Sequence, residues 1–174
     1  MCGICGVFEY KEHRPVDSRV LGNMLDVIKH RGPDDEGTYV HHDLAIGMRR
    51  LSIIDLAGGK QPMTNEDGSV VVVFNGEIYN YIELAEQLRQ RGHRLKTLSD
   101  TEVIAHLIDH LYEGDLFAAV QAAARRLQGA YAIAVFCRDE PHRVVGAREG
   151  SPLVLGIGTG ERAGENFLAS DAMA

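Results

Sequence analysis

Long apolar runs are missing from this sequence. No stretch approaches the roughly 20 residues needed to span a bilayer, so no membrane association is expected. The start, Met1-Cys2-Gly3-Ile4-Cys5-Gly6-Val7-Phe8-Glu9, carries no basic leader and no long apolar segment, so it does not read as a secretory signal. Cysteine is scarce, with three residues, an odd number, and one of them at position 2. Secreted disulfide frameworks are usually even and dense, so reduced thiols and a cytoplasmic location are expected. Positive charge is the minority: Lys plus Arg is 18 against 25 for Asp plus Glu, a formal net charge of −7. Such a surface repels phosphate backbones, and no nucleic-acid partner is expected. Repeats, low-complexity stretches and obvious linkers are also lacking. What remains is ordinary for one globular domain: 174 residues, 45% hydrophobic and 25% charged.

Short β-branched runs read as strands at 3–9, 70–75, 130–136, 143–147, 153–155 and 166–169. Leu21, Met24, Leu25 and Ile28 recur at helical spacing, with Asp17 or Ser18 as N-cap. Asn80-Tyr81-Ile82-Glu83 resembles a capping box opening a helix that Gly92 can end. Asp100 can cap a third helix carrying Val103, Ile104, Leu107, Ile108 and Leu111 on one face. A fourth runs from about Leu116 to Leu127. Strands, then helices, then strands again lack the regular alternation of a doubly wound sheet. Two antiparallel sheets covered by helices fit better.

Cys2 is the most informative residue. Removal of Met1, made plausible by the small Gly3, would leave a thiol and a free α-amine on one residue. An α-amine has a reference pKa near ~8 and can serve as base for the thiol. The bland alternative is a small core residue at the start of a buried strand.

The motifs around it change that weighing. They are Met1 to Phe8, His30-Arg31-Gly32-Pro33-Asp34-Asp35-Glu36-Gly37, Arg49-Arg50-Leu51-Ser52-Ile53-Ile54-Asp55 and Gln61-Pro62-Met63. Phe74-Asn75-Gly76-Glu77-Ile78-Tyr79-Asn80 and Ser99-Asp100-Thr101-Glu102-Val103-Ile104 follow. Together they resemble the glutaminase domain of class II glutamine amidotransferases, members of the N-terminal-nucleophile hydrolases. Residues 1–104 look most like glutamine-hydrolysing asparagine synthetase. Residues 99–174 look more like glucosamine-6-phosphate synthase, through Leu127-Gln128-Gly129-Ala130-Tyr131-Ala132, Gly146 to Leu153 and Glu165 to Asp171. The His-Thr-Arg-Trp loop of that enzyme is replaced here by Met48-Arg49-Arg50-Leu51. The family's glutaminase domains generally continue further than Ala174, so a C-terminally truncated domain is expected.

The resemblance implies an α/β fold, the four-layer αββα sandwich with two antiparallel sheets. It implies that Cys2 attacks the side-chain amide of L-glutamine, giving a γ-glutamyl thioester and ammonia. Asn75 and the Gly76 N–H would form the oxyanion hole, although Asn-Gly alone would equally suit a hairpin turn. Arg50 would grip the substrate α-carboxylate and Asp100 the α-ammonium. Leu51, Ile53, Ile54 and Glu77 complete the substrate set. Arg31 is expected to support the site rather than to do chemistry. The expected partner is an ammonia-accepting synthetase domain or subunit absent from this chain, of the asparagine-synthetase or glucosamine-6-phosphate-synthase type. A homo-oligomer is compatible with the family.

Other patterns carry less. Cys2-x-x-Cys5 has redox or zinc spacing but no second Cys pair. His106 and His110 lie four apart without the Glu of a zincin or a third ligand, and read as partly exposed helix residues. Gly156-x-Gly158-x-Gly160 lacks the rest of a dinucleotide fingerprint and reads as a loop. No phosphate-binding loop is present, so ATP has no evident site; neither cofactor nor metal is expected. Two rivals stay open: an inactive module that binds glutamine or a regulated partner, and a thiol redox protein using Cys2 and Cys5.

Overall fold

Residues 2–51 and 59–174 are described by the computed structural model. The order of elements is β1 (Gly3–Glu9), α1 (Ser18–Val27), β2 (Asp35–His41), β3 (Leu44–Arg50), β4 (Met63–Thr64) and β5 (Val70–Ile78). Then come α2 (Tyr81–Gln90), α3 (Asp100–Leu111) and α4 (Leu116–Ala124), followed by β6 (Gly129–Cys137), β7 (Val144–Glu149), β8 (Val154–Ile157) and β9 (Glu165–Ala169).

The strands form a five-stranded sheet, β2-β3-β1-β9-β8, and a four-stranded sheet, β4-β5-β6-β7. Every pairing between these strands is antiparallel. Side chains alternate across each sheet, and the alternation sorts the apolar residues into three layers. Ile4, Leu44, Ile46, Met48, Val71, Val73, Ala132, Ala134 and Phe136 pack between the sheets. Val70, Val72 and Phe74, from the other face of β5, pack under α2, α3 and α4. Cys5, Val7 and Ala45 pack under α1 through Leu21, Met24, Leu25 and Ile28. The result is the αββα sandwich, an α+β architecture in which the central strands β1, β3, β5 and β6 are buried on both faces. Among the described residues no helix is long and apolar enough to cross a membrane.

Local details depart from the sequence reading. Three strands were not anticipated: β2, β3 and β4. The β2–β3 hairpin turns at His42-Asp43, with His42 left-handed at φ 46°, where Asn-Gly or Asp-Gly would have signalled a turn. The cap of α3 is Ser99, whose hydroxyl accepts from Thr101 N at 3.2 Å; Asp100 is the first helical residue. Asn80 makes no side-chain cap bond. It clips the approach to β6 instead, donating to Arg126 O and accepting from Gln128 N. The fourth helix stops at Ala124, and Gly156 belongs to β8. His106 is fully buried rather than partly exposed.

Candidate active site

Cys2 lies at the entry of β1, a central strand flanked by β3 and β9. Its side chain packs on the face shared with Ile4, between the sheets. The sulfur rests against the backbone at the end of β3: Leu51 N–H points to Sγ at 3.4 Å, and Sγ lies 3.7 Å from Leu51 O. Arg31 fixes the strand end, donating from Nε to Cys2 O and from Nη1 to Ser170 O, each at 3.3 Å. Gly32 lets that segment come close. A Cβ there would sit 2.4 Å from the Arg49 carbonyl. Cys5 falls on the opposite face of β1, under α1. Burial pushes its thiol up to about 12, against the opposing charge of Arg49. A Cys2–Cys5 redox pair therefore has no geometry.

Asn75 and Gly76 are not a turn. Both lie inside β5, opposite Ala132 and Tyr131 of β6. Asn75 is odd-numbered like Val71 and Val73, so its side chain faces the inter-sheet layer. It is 1% exposed, and neither Nδ2 nor Oδ1 has a hydrogen-bond partner among the described residues. Backbone N–H groups alternate too. Those of Phe74 and Ile78 point away from β6, to Gln61 Oε1 at 2.7 Å and Asp100 Oδ2 at 3.3 Å. Gly76, midway between them, sends its N–H to the same open edge. Its φ of +153° brings its α-carbon against β6, where a Cβ would lie 2.2 Å from Ala130 O. Only glycine fits.

Arg50 continues the face of Leu44, Ile46 and Met48 and is buried at the end of β3. Asp100 opens α3 and accepts from Ile78 N. Burial pushes its carboxyl above the usual carboxylate range; the N–H groups of Ile78 and Thr101 pull it back, and the nearby Glu77 charge adds to the rise. These groups line one cleft of about 280 Å³ with Cys2, Leu51, Asn75, Gly76 and Glu77. That is near the small end for small-molecule sites, about 300–1,000 Å³. A thiol, an unpaired amide, one cation and two carboxylates thus converge. The arrangement suits a small zwitterion with a reactive carbonyl. Ile53 and Ile54 lie outside the described residues.

The cleft also contains residues to which the sequence assigned no role. Gln61 bridges its walls, accepting from Phe74 N and donating to Thr101 Oγ1 at 3.1 Å. Ser151, buried after β7, and Tyr79 also line it. Their signal was faint: Gln61 and Tyr79 sit within recognisable motifs, while Ser151 only follows a strand end.

Two antiparallel sheets between helices, with a cysteine at the second position entering a central strand, define an N-terminal-nucleophile class of fold. The B. subtilis glutamine phosphoribosylpyrophosphate amidotransferase structure superposes with a TM-score of 0.77 at 24% identity, over 97% of this chain and 42% of that one. The chain belongs to the glutamine amidotransferase domain family, whose model matches residues 1–172. It is 62% identical to a Bordetella pertussis glutamine–fructose-6-phosphate aminotransferase (isomerizing) over 109 residues, 63% of this chain and 17% of that protein. A Clostridium tetani protein of the same name is 36% identical over 200 residues, covering 98% of this chain and 32% of the relative. Bacillus subtilis asparagine synthetase (glutamine-hydrolyzing) 1 is 39% identical over 151 residues, 86% of this chain and 22% of that one. The chain thus spans a third or less of the length of these curated relatives.

Proposed function

We propose that this domain hydrolyses L-glutamine to L-glutamate and ammonia, with Cys2 as nucleophile. Its α-amine, exposed once Met1 is removed, takes the thiol proton. The sulfur attacks the side-chain amide carbon, and the oxyanion is received by Asn75 Nδ2 and the Gly76 N–H. The protonated amine returns its proton to the departing nitrogen, leaving ammonia and a γ-glutamyl thioester. Water then cleaves the thioester, giving glutamate and restoring the thiol. Arg50 holds the α-carboxylate and Asp100 the α-ammonium, while Leu51, Ile53, Ile54 and Glu77 frame the substrate.

The observation that carries this reading is Asn75. A buried amide with both polar atoms unpartnered costs about 1–3 kcal/mol unless something completes it, and it opens on the same cleft as Cys2. An oxyanion beside Nδ2 would complete one half. The inactive-module reading offers no reaction for the amide to serve.

The ammonia is destined for a second domain or subunit. The relatives suggest two acceptor classes: a sugar phosphate, supported by the 62% identity, and an aspartyl acceptor, supported by the 39% identity across 86% of the chain. The test is glutamate release from glutamine. Cys2→Ala should abolish it, and so should an uncleavable N-terminal extension, with turnover restored when a protease exposes Cys2. Turnover that survives either change would sink the mechanism.

A further inference from the structure

We propose that Glu66, His93 and His106 form a binding site for a zinc-type divalent cation, separate from the glutamine cleft. Three segments bring them together: the loop between β4 and β5, the connection from α2 to α3, and α3 itself. One ligand atom from each lies within 4.8 Å of the others. His93 Nδ1 and His106 Nδ1 face each other at 3.3 Å. Two nitrogens bound tetrahedrally to one zinc at ~2.0–2.1 Å stand about 3.3–3.4 Å apart.

The surroundings are built for ligation. The other nitrogen of His106, Nε2, lies 3.8 Å from Glu102 Oε1. Glu102 is buried and held by Lys96 N at 2.7 Å and by Thr97 N and Oγ1 at 2.6 Å. The 3.8 Å separation is too long for a hydrogen bond, so Glu102 gives His106 a nearby negative charge rather than a fixed tautomer. His93 turns Nε2 toward His110 Nδ1 at 3.3 Å. His110 Nε2 already meets the Arg91 guanidinium, so His110 is a neighbour of the ligands rather than one of them. Glu66 accepts the Arg94 N–H on Oε1, which leaves Oε2 for an ion. His106 is buried, His93 half-buried and Glu66 exposed, so a fourth position stays open to water. Two imidazoles and one carboxylate favour zinc and its first-row neighbours over calcium or magnesium.

The ligands absent from the His106–His110 helix pattern thus come from two other segments. A second cluster, His13, Asp43 and His142, fits less well. His13 Nδ1 and Asp43 Oδ2 are closed on each other at 2.6 Å, too near to flank one ion. An ion at the first cluster would brace the segment leading into Ser99 and Asp100.

The test titrates the full chain carrying Cys2→Ala, so that the cleft thiol does not compete, with Zn²⁺ by calorimetry and Co²⁺ by visible absorption. One ion per chain, a tetrahedral Co²⁺ spectrum and a Tm raised by Zn²⁺ are expected. His93→Gln and the exposed Glu66→Gln should each weaken binding by about tenfold or more at unchanged circular dichroism, and His13→Gln should not. No saturable binding, binding indifferent to both His93→Gln and Glu66→Gln, or binding lost with His13→Gln would each overturn the site.

Discussion

Arg49 and Arg50 are chain neighbours that leave β3 from opposite faces. Arg49 runs beneath α1, donating to Leu25 O at 3.1 Å and pairing with Asp26 and Glu36. Arg50 lines the cleft with Cys2. Their variants should separate accordingly. Arg50→Lys keeps the charge but loses the planar fork, so KM for glutamine should rise at nearly unchanged Tm. Arg49→Ala should leave KM alone and cost on the order of 1–2 kcal/mol in denaturant unfolding, because its acidic partners are largely solvated. An unchanged KM in Arg50→Lys would remove Arg50 from the substrate set.

Asn75 should show the reverse balance. Asn75→Ala removes the proposed oxyanion donor, and loss of such a donor typically costs on the order of 10²–10³ in kcat. It also removes a buried amide with no partner, so the melting temperature should hold or rise. Paired kinetics and calorimetry on one preparation check this. A loss of stability matching the loss of rate would make Asn75 a structural residue.

The thiols should differ sharply in reactivity. Cys2 opens on the cleft, whereas burial raises the thiols of both Cys5 and Cys137. Iodoacetamide near neutral pH should add one equivalent, at Cys2, and glutamine should slow it. Peptide mass spectrometry assigns the site. Alkylation of Cys5 in the folded protein would contradict its placement under α1.

Asp100 links pH to both binding and stability. Its folded carboxyl holds a proton more tightly than an unfolded aspartate, whose pKa is near ~3.9. Stability therefore falls as pH rises from that value through the raised folded one. Above this window the charged Asp100 is a standing cost. Asp100→Asn should raise Tm at neutral pH while weakening glutamine binding. In the unmodified protein, glutamine affinity should begin to fall on acidification at a higher pH than an ordinary aspartate would produce. Calorimetry across pH decides.

The strands β5 and β6 announced themselves because Val70 to Phe74 and Ala130 to Phe136 are unbroken apolar runs buried on both faces, whereas β3, equally buried, was masked by Gly47, Arg49 and Arg50. The layering followed from the order of elements. β2 was hidden because it is an edge strand with one face in solvent, so Glu36, Thr38 and Val40 dilute its apolar pattern. The motifs named Cys2, Arg50, Leu51, Asn75, Gly76, Glu77 and Asp100, which line one cleft, yet their geometry was not legible. The opposite faces taken by Arg49 and Arg50, or by Cys2 and Cys5, follow from period-two alternation once β1 and β3 are known. Of Glu66, His93 and His106 the sequence singled out only His106, beside His110, since no local spacing joins three separate segments.

The tie between Ile4 and Ser170 has a consequence in time. Ile4 N donates to Ser170 Oγ across 166 residues, Ser170 N returns a bond to Ile4 O, and Arg31 holds both ends. The strand that carries the reactive cysteine is among the first made, and its neighbour β9 emerges a whole domain later. At ribosomal speeds of about 5–20 residues per second, many seconds separate them. During that interval β1 lacks one of its two partners, and the Cys2 backbone lacks the clamp that Arg31 and Ser170 form. On the proposed mechanism, a nascent chain therefore carries its nucleophile unarmed, and ammonia release would begin only after the far end of the domain has been translated.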